Sequence, residues 1–267
     1  MTARTPGGGR NDPATMTTAA TTIGRLILTR TGLDLSGEPS GTLARRMRHR
    51  MEALGLESIS EYEQKLHASD FELGRLIDSS TTNETRFFRE AYHFKYLTSL
   101  IYPEWDREPL ISRRVWSAGC ATGEEAYSLS IHRLGHSRDF TILGTDLSST
   151  AIDWARSGRL TDRRAREAME MFPEHVRASQ GGPVLSPVIT AGVSFSVDNL
   201  FSTGIEGPFD LIMCRNVMMF MTPLARFRVQ GHLSDRLVKG GYLFVGHTEW
   251  VHRSEFKLVA TGAYRKS

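Results

Sequence analysis

Apolar residues recur at helical spacing through the first hundred positions, then give way to short apolar runs separated by helical stretches. Ile23, Leu26, Ile27 and Arg30 sit at helical intervals. Leu43, Met47, Met51 and Leu54 form one apolar stripe that Gly55 closes. Ser58 with Glu61 reads as a capping box opening a helix that contains Tyr62 and Leu66. Asp70 to Ile77 carries another apolar face, residues 79–83 are polar, and a further helix is predicted from Glu90 to about Ile101. Residues 23–100 therefore read as wholly helical. Beyond Pro103 the predicted strands are residues 115–118, 141–144, 193–197, 209–214 and 242–246. Predicted helices at 124–134, 149–157 and 223–238 alternate with them. This alternation predicts an α/β fold, an open and mostly parallel sheet with helices on both faces. Residues 256–264 are expected as an edge strand, and 157–192 as one or two helices followed by a loop-rich insertion.

Composition refines this picture. Residues 1–22 are rich in Gly, Pro, Thr and Ala and are expected to be a disordered tail. The 267 residues, 40% hydrophobic and 24% charged, suffice for one large domain or two small ones. No run approaches the roughly 20 apolar residues of a membrane helix, and residues 1–11 lack the apolar centre of a secretory signal. The two cysteines, Cys120 and Cys214, form no CxxC pair, which excludes a disulfide scaffold or zinc knuckle and fits a reducing cytoplasm. The net charge of +3 gives no argument for nucleic acid, and no surplus heptad or broad apolar stripe argues for an oligomer, so a monomer is expected.

Open parallel sheets bind ligands at the carboxyl ends of their strands. After the first predicted strand comes Gly119-Cys120-Ala121-Thr122-Gly123-Glu124-Glu125. Two carboxylates stand where a phosphate would need free N–H groups, so a pyrophosphate is disfavoured and an ammonium or sulfonium is favoured. The same glutamates would also complement the dipole of a helix's first turn. After the second strand, Asp146 sits where a ribose acceptor is expected, although an N-cap aspartate reads equally well. Together these describe a nucleoside with a cationic amino-acid tail and no phosphates, which fits S-adenosylmethionine. Asp210 to Cys214 leads into Arg215 and Asn216, either at the cleft or capping a helix. Cys120 and Cys214 read as small packing residues. The segment Thr81-Thr82-Asn83-Glu84-Thr85-Arg86-Phe87-Phe88-Arg89-Glu90 is either a linker with an aromatic plug or a lid that presents an arginine to an acidic substrate.

In this order, TTNETRFFRE, WSAGCATGEEAYSLS, GTDLS, FDLIMCRNV and GGYLFVGHTE resemble the CheR-type chemotaxis methyltransferases. The resemblance runs from about Ile23 to Lys257 and implies a Rossmann-like methyltransferase sheet preceded by a small all-helical domain. It implies a cytoplasmic enzyme that moves a methyl group from S-adenosylmethionine to glutamates of receptor helices, without a metal. Asn83, Thr85 and Arg89 match lid positions that contact the cofactor, with Arg89 nearest the transferred methyl. Glu124 matches the carboxylate on the methionine amino group, with Glu125 as the substitute. Asp146 matches the ribose acceptor, Asn199 and Leu200 the adenine-edge contacts, and Arg215 with Asn216 the last cofactor-contacting pair. Residues 81–90 match the lid, 101–267 the methyltransferase domain and about 172–197 an inserted β-subdomain. The chain departs from the pattern at Phe220, where the family usually carries tyrosine.

A carboxylate is already ionised near neutral pH, so attack on a sulfonium methyl needs positioning rather than a strong base. Arg89 is expected to orient the incoming carboxylate. Arg45, Arg46 and Arg48 lie in a basic run that either steers an acidic receptor helix or is an ordinary solvated face. The alternatives are a related enzyme with another carboxylate acceptor, which Phe220 keeps open, and a non-catalytic S-adenosylmethionine-binding regulator. A nucleic-acid methyltransferase is disfavoured, because no (Asp/Asn/Ser)-Pro-Pro-(Tyr/Phe) motif for a flipped base is present.

Overall fold

The structure is a computed structural model that describes residues 13–78, 85–108 and 112–267. It divides into two compact units, one ending at Thr81 and the other beginning at Thr82.

The first unit has four helices, α1 (Pro13–Thr31), α2 (Thr42–Leu54), α3 (Ile59–Ala68) and α4 (Asp70–Asp78). The expected disorder to residue 22 is not what the structure shows, because α1 begins at Pro13. Met16 and Ala19 extend the buried stripe of Ile23 and Ile27 at helical spacing. The threonines between them bond back to the carbonyl four residues earlier, as Thr18 does to Ala14 and Thr21 to Thr17. The capping box is real at one end, where Ser58 Oγ accepts from the Glu61 amide at 3.4 Å. Met47, Met51, Tyr62, Leu66 and Leu76 fill the core of this unit. Glu72 is buried among them and receives Arg50 in a two-pronged ion pair at 2.9 and 2.8 Å, plus the Tyr62 hydroxyl at 3.2 Å. Burial beside that carboxylate pushes the Tyr62 phenol pKa up.

The second unit opens with α5 (Tyr92–Tyr96), a π turn over Leu97–Ile101 and α6 (Tyr102–Trp105). The sequence suggested one helix through Glu90–Ile101 belonging with the helical part. The segment is instead broken, and it packs on the sheet: Phe94, Leu97 and Ile101 join Val115, Ala126, Leu129 and Leu211 in one core. Then follow β1 (Arg113–Ala118), α7 (Glu124–Gly135), β2 (Phe140–Asp146), α8 (Ser149–Ser157) and α9 (Asp162–Met171). A two-stranded hairpin of β3 (Val176–Arg177) and β4 (Val184–Leu185) precedes α10 (Pro187–Thr190) and β5 (Val193–Val197). The chain finishes with β6 (Phe209–Cys214), α11 (Pro223–Arg236), β7 (Leu237–Val245), β8 (Phe256–Ala260) and β9 (Ala263–Lys266).

The large sheet has the order β5-β2-β1-β6-β7-β9-β8. Its first five strands are parallel, β9 runs antiparallel to β7, and β8 runs antiparallel to β9. This is the open, mostly parallel α/β sheet expected from the sequence. The single expected edge strand over 256–264 is a hairpin, broken by Gly262 at φ 65°. Residues 193–197, expected as a strand and also as the end of the inserted subdomain, are a strand of the main sheet paired with β2. Strand order reverses at β1, between β2 on one side and β6 on the other. That reversal opens a crevice at the carboxyl ends of β1 and β6, the favoured ligand position in such sheets.

Candidate functional site

The loop after β1 turns tightly into α7. Gly119 has φ 81°, and a Cβ there would overlap Val217, which follows β6. Gly123 caps α7 at φ 95°. Both conformations are left-handed and suit glycine. The loop is closed by Asp146 at the end of β2, whose carboxylate accepts the Ala121 amide at 2.8 Å and the Ser148 amide at 3.0 Å. The Asp146 carbonyl accepts the Asp198 amide at 3.0 Å, which ties the end of β2 to the segment carrying Asn199 and Leu200. Asn199 caps the following turn through the Phe201 amide at 3.1 Å, and Leu200 is buried.

The two glutamates of α7 point to different neighbours, because successive helical residues are rotated by about 100°. Glu125 accepts Ser117 Oγ at 2.6 Å and Arg215 Nε at 2.6 Å. Arg215, at the end of β6, is buried, and it also donates to the Arg89 carbonyl and approaches His93 Nδ1 at 3.3 Å and Glu90 at 3.8 Å. Glu124 instead accepts Thr122 Oγ1 at 2.6 Å and faces Arg164 of α9 at 3.4 Å. Burial pushes its carboxyl pKa up against those two partners. The sequence favoured Glu124 for the ligand ammonium. The structure joins Glu125, not Glu124, to the Arg215 and Arg89 end of the crevice.

Residues 87–90 are held on this unit. Phe87 packs edge-on against Phe172 with ring centres 5.0 Å apart, and the Phe88 amide donates to Ser128 Oγ at 2.9 Å. The aromatic plug is therefore present, the Arg89 carbonyl is held by Arg215 at the sheet's carboxyl end, and Thr85 and Arg89 are both half-buried. Asn83 and the first part of the expected lid lie outside the described residues. Glu90 accepts the Tyr92 hydroxyl at 3.0 Å, Asn216 Nδ2 at 3.4 Å and His247 Nδ1 at 3.1 Å. His93, fully buried and stacked on Phe244 at 4.8 Å, has its pKa pushed down to about 4, by burial first and then by Arg215.

Glu249 was not singled out in the sequence. It is buried after β7 and accepts the amides of Asn216 at 2.7 Å, Gly246 at 2.7 Å and Met219 at 3.0 Å. It thereby fixes Asn216, whose φ is 59°, and the turn behind it. The only sequence signal was its place at the end of GGYLFVGHTE. Both cysteines are buried, and burial pushes their thiol pKa values well up, as suits packing residues.

The donor set fits an S-adenosyl compound. Two oxygens at this end, Asn216 Oδ1 and Asp198 Oδ2, are buried and accept no hydrogen bond among the described residues. Spare acceptors there suit a ligand that brings donors, such as an ammonium, ribose hydroxyls and an adenine amine.

The basic run on α2 belongs to the first unit. Arg46 is not part of an open face, because it is held by Glu38 at 2.8 and 2.7 Å. Arg50 is taken by Glu72, while Arg45, Arg48 and His49 are exposed.

Comparison with known proteins follows the same division. Residues 83–264 match the family described as CheR methyltransferase, SAM binding domain, and residues 21–81 match its all-alpha domain. A chemotaxis protein methyltransferase of Salmonella typhimurium is 32% identical over 240 residues, covering 85% of this chain and 82% of that protein. Chemotaxis protein methyltransferase 1 of Pseudomonas aeruginosa is 30% identical, covering 84% of this chain and 88% of its own length. A chemotaxis protein methyltransferase of Borreliella burgdorferi is 27% identical over 91% of this chain and 92% of its own.

Proposed function

Because the chain belongs to the CheR methyltransferase family, we propose that it transfers a methyl group from S-adenosylmethionine to glutamate carboxylates of methyl-accepting chemotaxis receptors. The observation that carries this reading is the buried junction of Glu125, Arg215 and the Arg89 backbone, beside Asp146 and the spare oxygens of Asn216 and Asp198. Bound S-adenosylmethionine would supply an electrophilic methyl on a sulfonium. Glu125 takes the ammonium of its amino-acid tail, Asp146 the ribose hydroxyls, and Asn199 with Leu200 borders the adenine. Arg215 fixes the Glu125 carboxylate in place and holds the Arg89 backbone against the sheet. Asn216 is set by Glu249, and Thr85 with Arg89 closes the crevice.

Arg89 is the residue we assign to the acceptor. Its guanidinium orients the incoming carboxylate and shields it from water. No general base is required, because the attacking glutamate is ionised. Arg45 and Arg48 on α2, exposed and cationic, steer an acidic partner at long range. The test is incubation with methyl-labelled cofactor and a purified receptor cytoplasmic fragment, followed by mild alkali. Carboxyl methyl esters release labelled methanol. Label that resists alkali would mean a different acceptor chemistry, and no label would refute the assignment.

A further inference from the structure

Five large apolar side chains are exposed on the segments that follow β6 and β7. They are Met219 (46% exposed), Phe220 (44%), Leu224 (80%), Phe227 (51%) and Trp250 (64%). The fold knits them together. Met219 is bonded through its amide to Glu249, the residue before Trp250. The Trp250 carbonyl accepts Gln230 Nε2 at 2.7 Å, one turn beyond Phe227 on α11. Met221 leads from Phe220 into α11, its carbonyl held by Arg226 Nε at 2.9 Å. The inner face of α11 is satisfied by Ala225, Val229 and Leu233, so Leu224 and Phe227 are not needed for its own core. Large exposed apolar side chains gathered on hydrogen-bonded neighbouring segments mark an interaction site.

Its charge and position say what it fits. The first turn of α11 has no acidic residue, and Arg226 and Arg228 stand among the apolar positions. The patch begins three residues after Asn216, and Glu249 binds the amides of both Asn216 and Met219, which sets the start of the patch beside the crevice.

We propose that Met219, Phe220, Leu224, Phe227 and Trp250 form the docking surface for an acidic amphipathic helix of the acceptor protein. This rests on the methyltransferase reading above. The helix lays its apolar face on the patch, and its carboxylates meet the arginines of α11. One glutamate at the edge of that apolar face is thereby delivered to Arg89. Phe220, where the family usually carries a tyrosine, acts here as an apolar contact.

Steady-state methylation of a purified receptor cytoplasmic fragment, at saturating cofactor, tests the surface with the double variant Leu224→Ser/Phe227→Ser and with Trp250→Ala. The expected result is a KM for receptor raised at least tenfold, kcat changed less than threefold, and S-adenosylhomocysteine affinity within twofold of the unaltered chain. Leu224→Asn, at the most exposed of the five, is the second variant, and it carries the same direction of effect with the least risk to folding. A receptor KM within twofold in all variants, with the unaltered chain active, overturns the docking surface alone. An unaltered chain that binds S-adenosylhomocysteine but methylates no receptor overturns the functional reading and this surface with it. Self-association in sedimentation that disappears in the double variant assigns the patch to a second copy of the chain and overturns the acceptor helix.

Discussion

The choice between the two adjacent glutamates of α7 can be decided by replacing each with glutamine. Glu125→Gln removes the charge that faces Arg215 at 2.6 Å and accepts Ser117 at 2.6 Å. Breaking a buried ion pair on one side costs about 3–5 kcal/mol, and glutamine keeps the shape and one oxygen, so about 3 kcal/mol is expected. The variant also removes the anion for the ligand ammonium, and a hydrogen bond to a charged group is worth about 1.5–3 kcal/mol. That corresponds to roughly a ten- to 150-fold weaker Kd. Glu124→Gln disturbs only Thr122 and Arg164. It should leave the ligand Kd within about threefold, since its carboxylate is directed away from the Arg215 junction. Calorimetric titration with S-adenosylhomocysteine gives both affinities, and urea denaturation gives both stabilities. A tenfold loss in Glu124→Gln with none in Glu125→Gln would refute the assignment of roles.

Arg89→Ala should lower single-turnover methylation by about a hundredfold or more while the Kd for S-adenosylhomocysteine moves less than about fivefold; equal losses would remove Arg89 from the transfer step. His93 is neutral in the fold, with its pKa held near 4 against 6.5 when unfolded. The unfolded chain therefore binds more protons below pH 6.5, and up to about 3 kcal/mol of stability present above pH 6.5 is lost as pH falls towards 4. Denaturation across this range should show a shallower acid limb in His93→Gln, and an unchanged slope would contradict the burial argument. Gly119→Ala forces a side chain onto Val217 at a left-handed φ and should cost about 2–4 kcal/mol by denaturation; adding Val217→Ala should recover part of the loss, and strict additivity would exclude the steric cause. Neutralising Arg45 and Arg48 together should raise the receptor KM at low ionic strength and have little effect at high salt, whereas a salt-independent change would argue for direct contact.

The central strands were legible because buried parallel strands are nearly continuous apolar runs, as in Phe209–Cys214, where every residue is buried. The helix at Pro13–Thr31 was obscured because its first half buries only Met16 and Ala19 among threonines, a composition that resembles a tail. Residues 92–101 read as helical, correctly, but their allegiance depends on packing with β-strand residues far along the chain, which no local pattern carries. Of the candidate site, Asp146, Arg215 and Asn216 could be placed from strand ends alone. Which of Glu124 and Glu125 meets Arg215 could not, since it turns on a rotation about a helix whose orientation to the sheet is a tertiary fact. Glu249 was hidden for a related reason. Its work is done on the backbone amides of Asn216 and Met219, about thirty residues away, and backbone donors leave no trace in a side-chain pattern. Arg46 and Arg50 show the reverse case, a cationic run of which half is consumed by Glu38 and Glu72 within its own unit.

A crystal structure of the full chain with S-adenosylhomocysteine is the most direct measurement of all. It should place the ribose hydroxyls on Asp146 and the amino group on Glu125, with the sulfur directed towards Arg89. A nucleoside seated elsewhere, or a crevice that stays closed to a compound that also fails to bind in solution, would contradict the account.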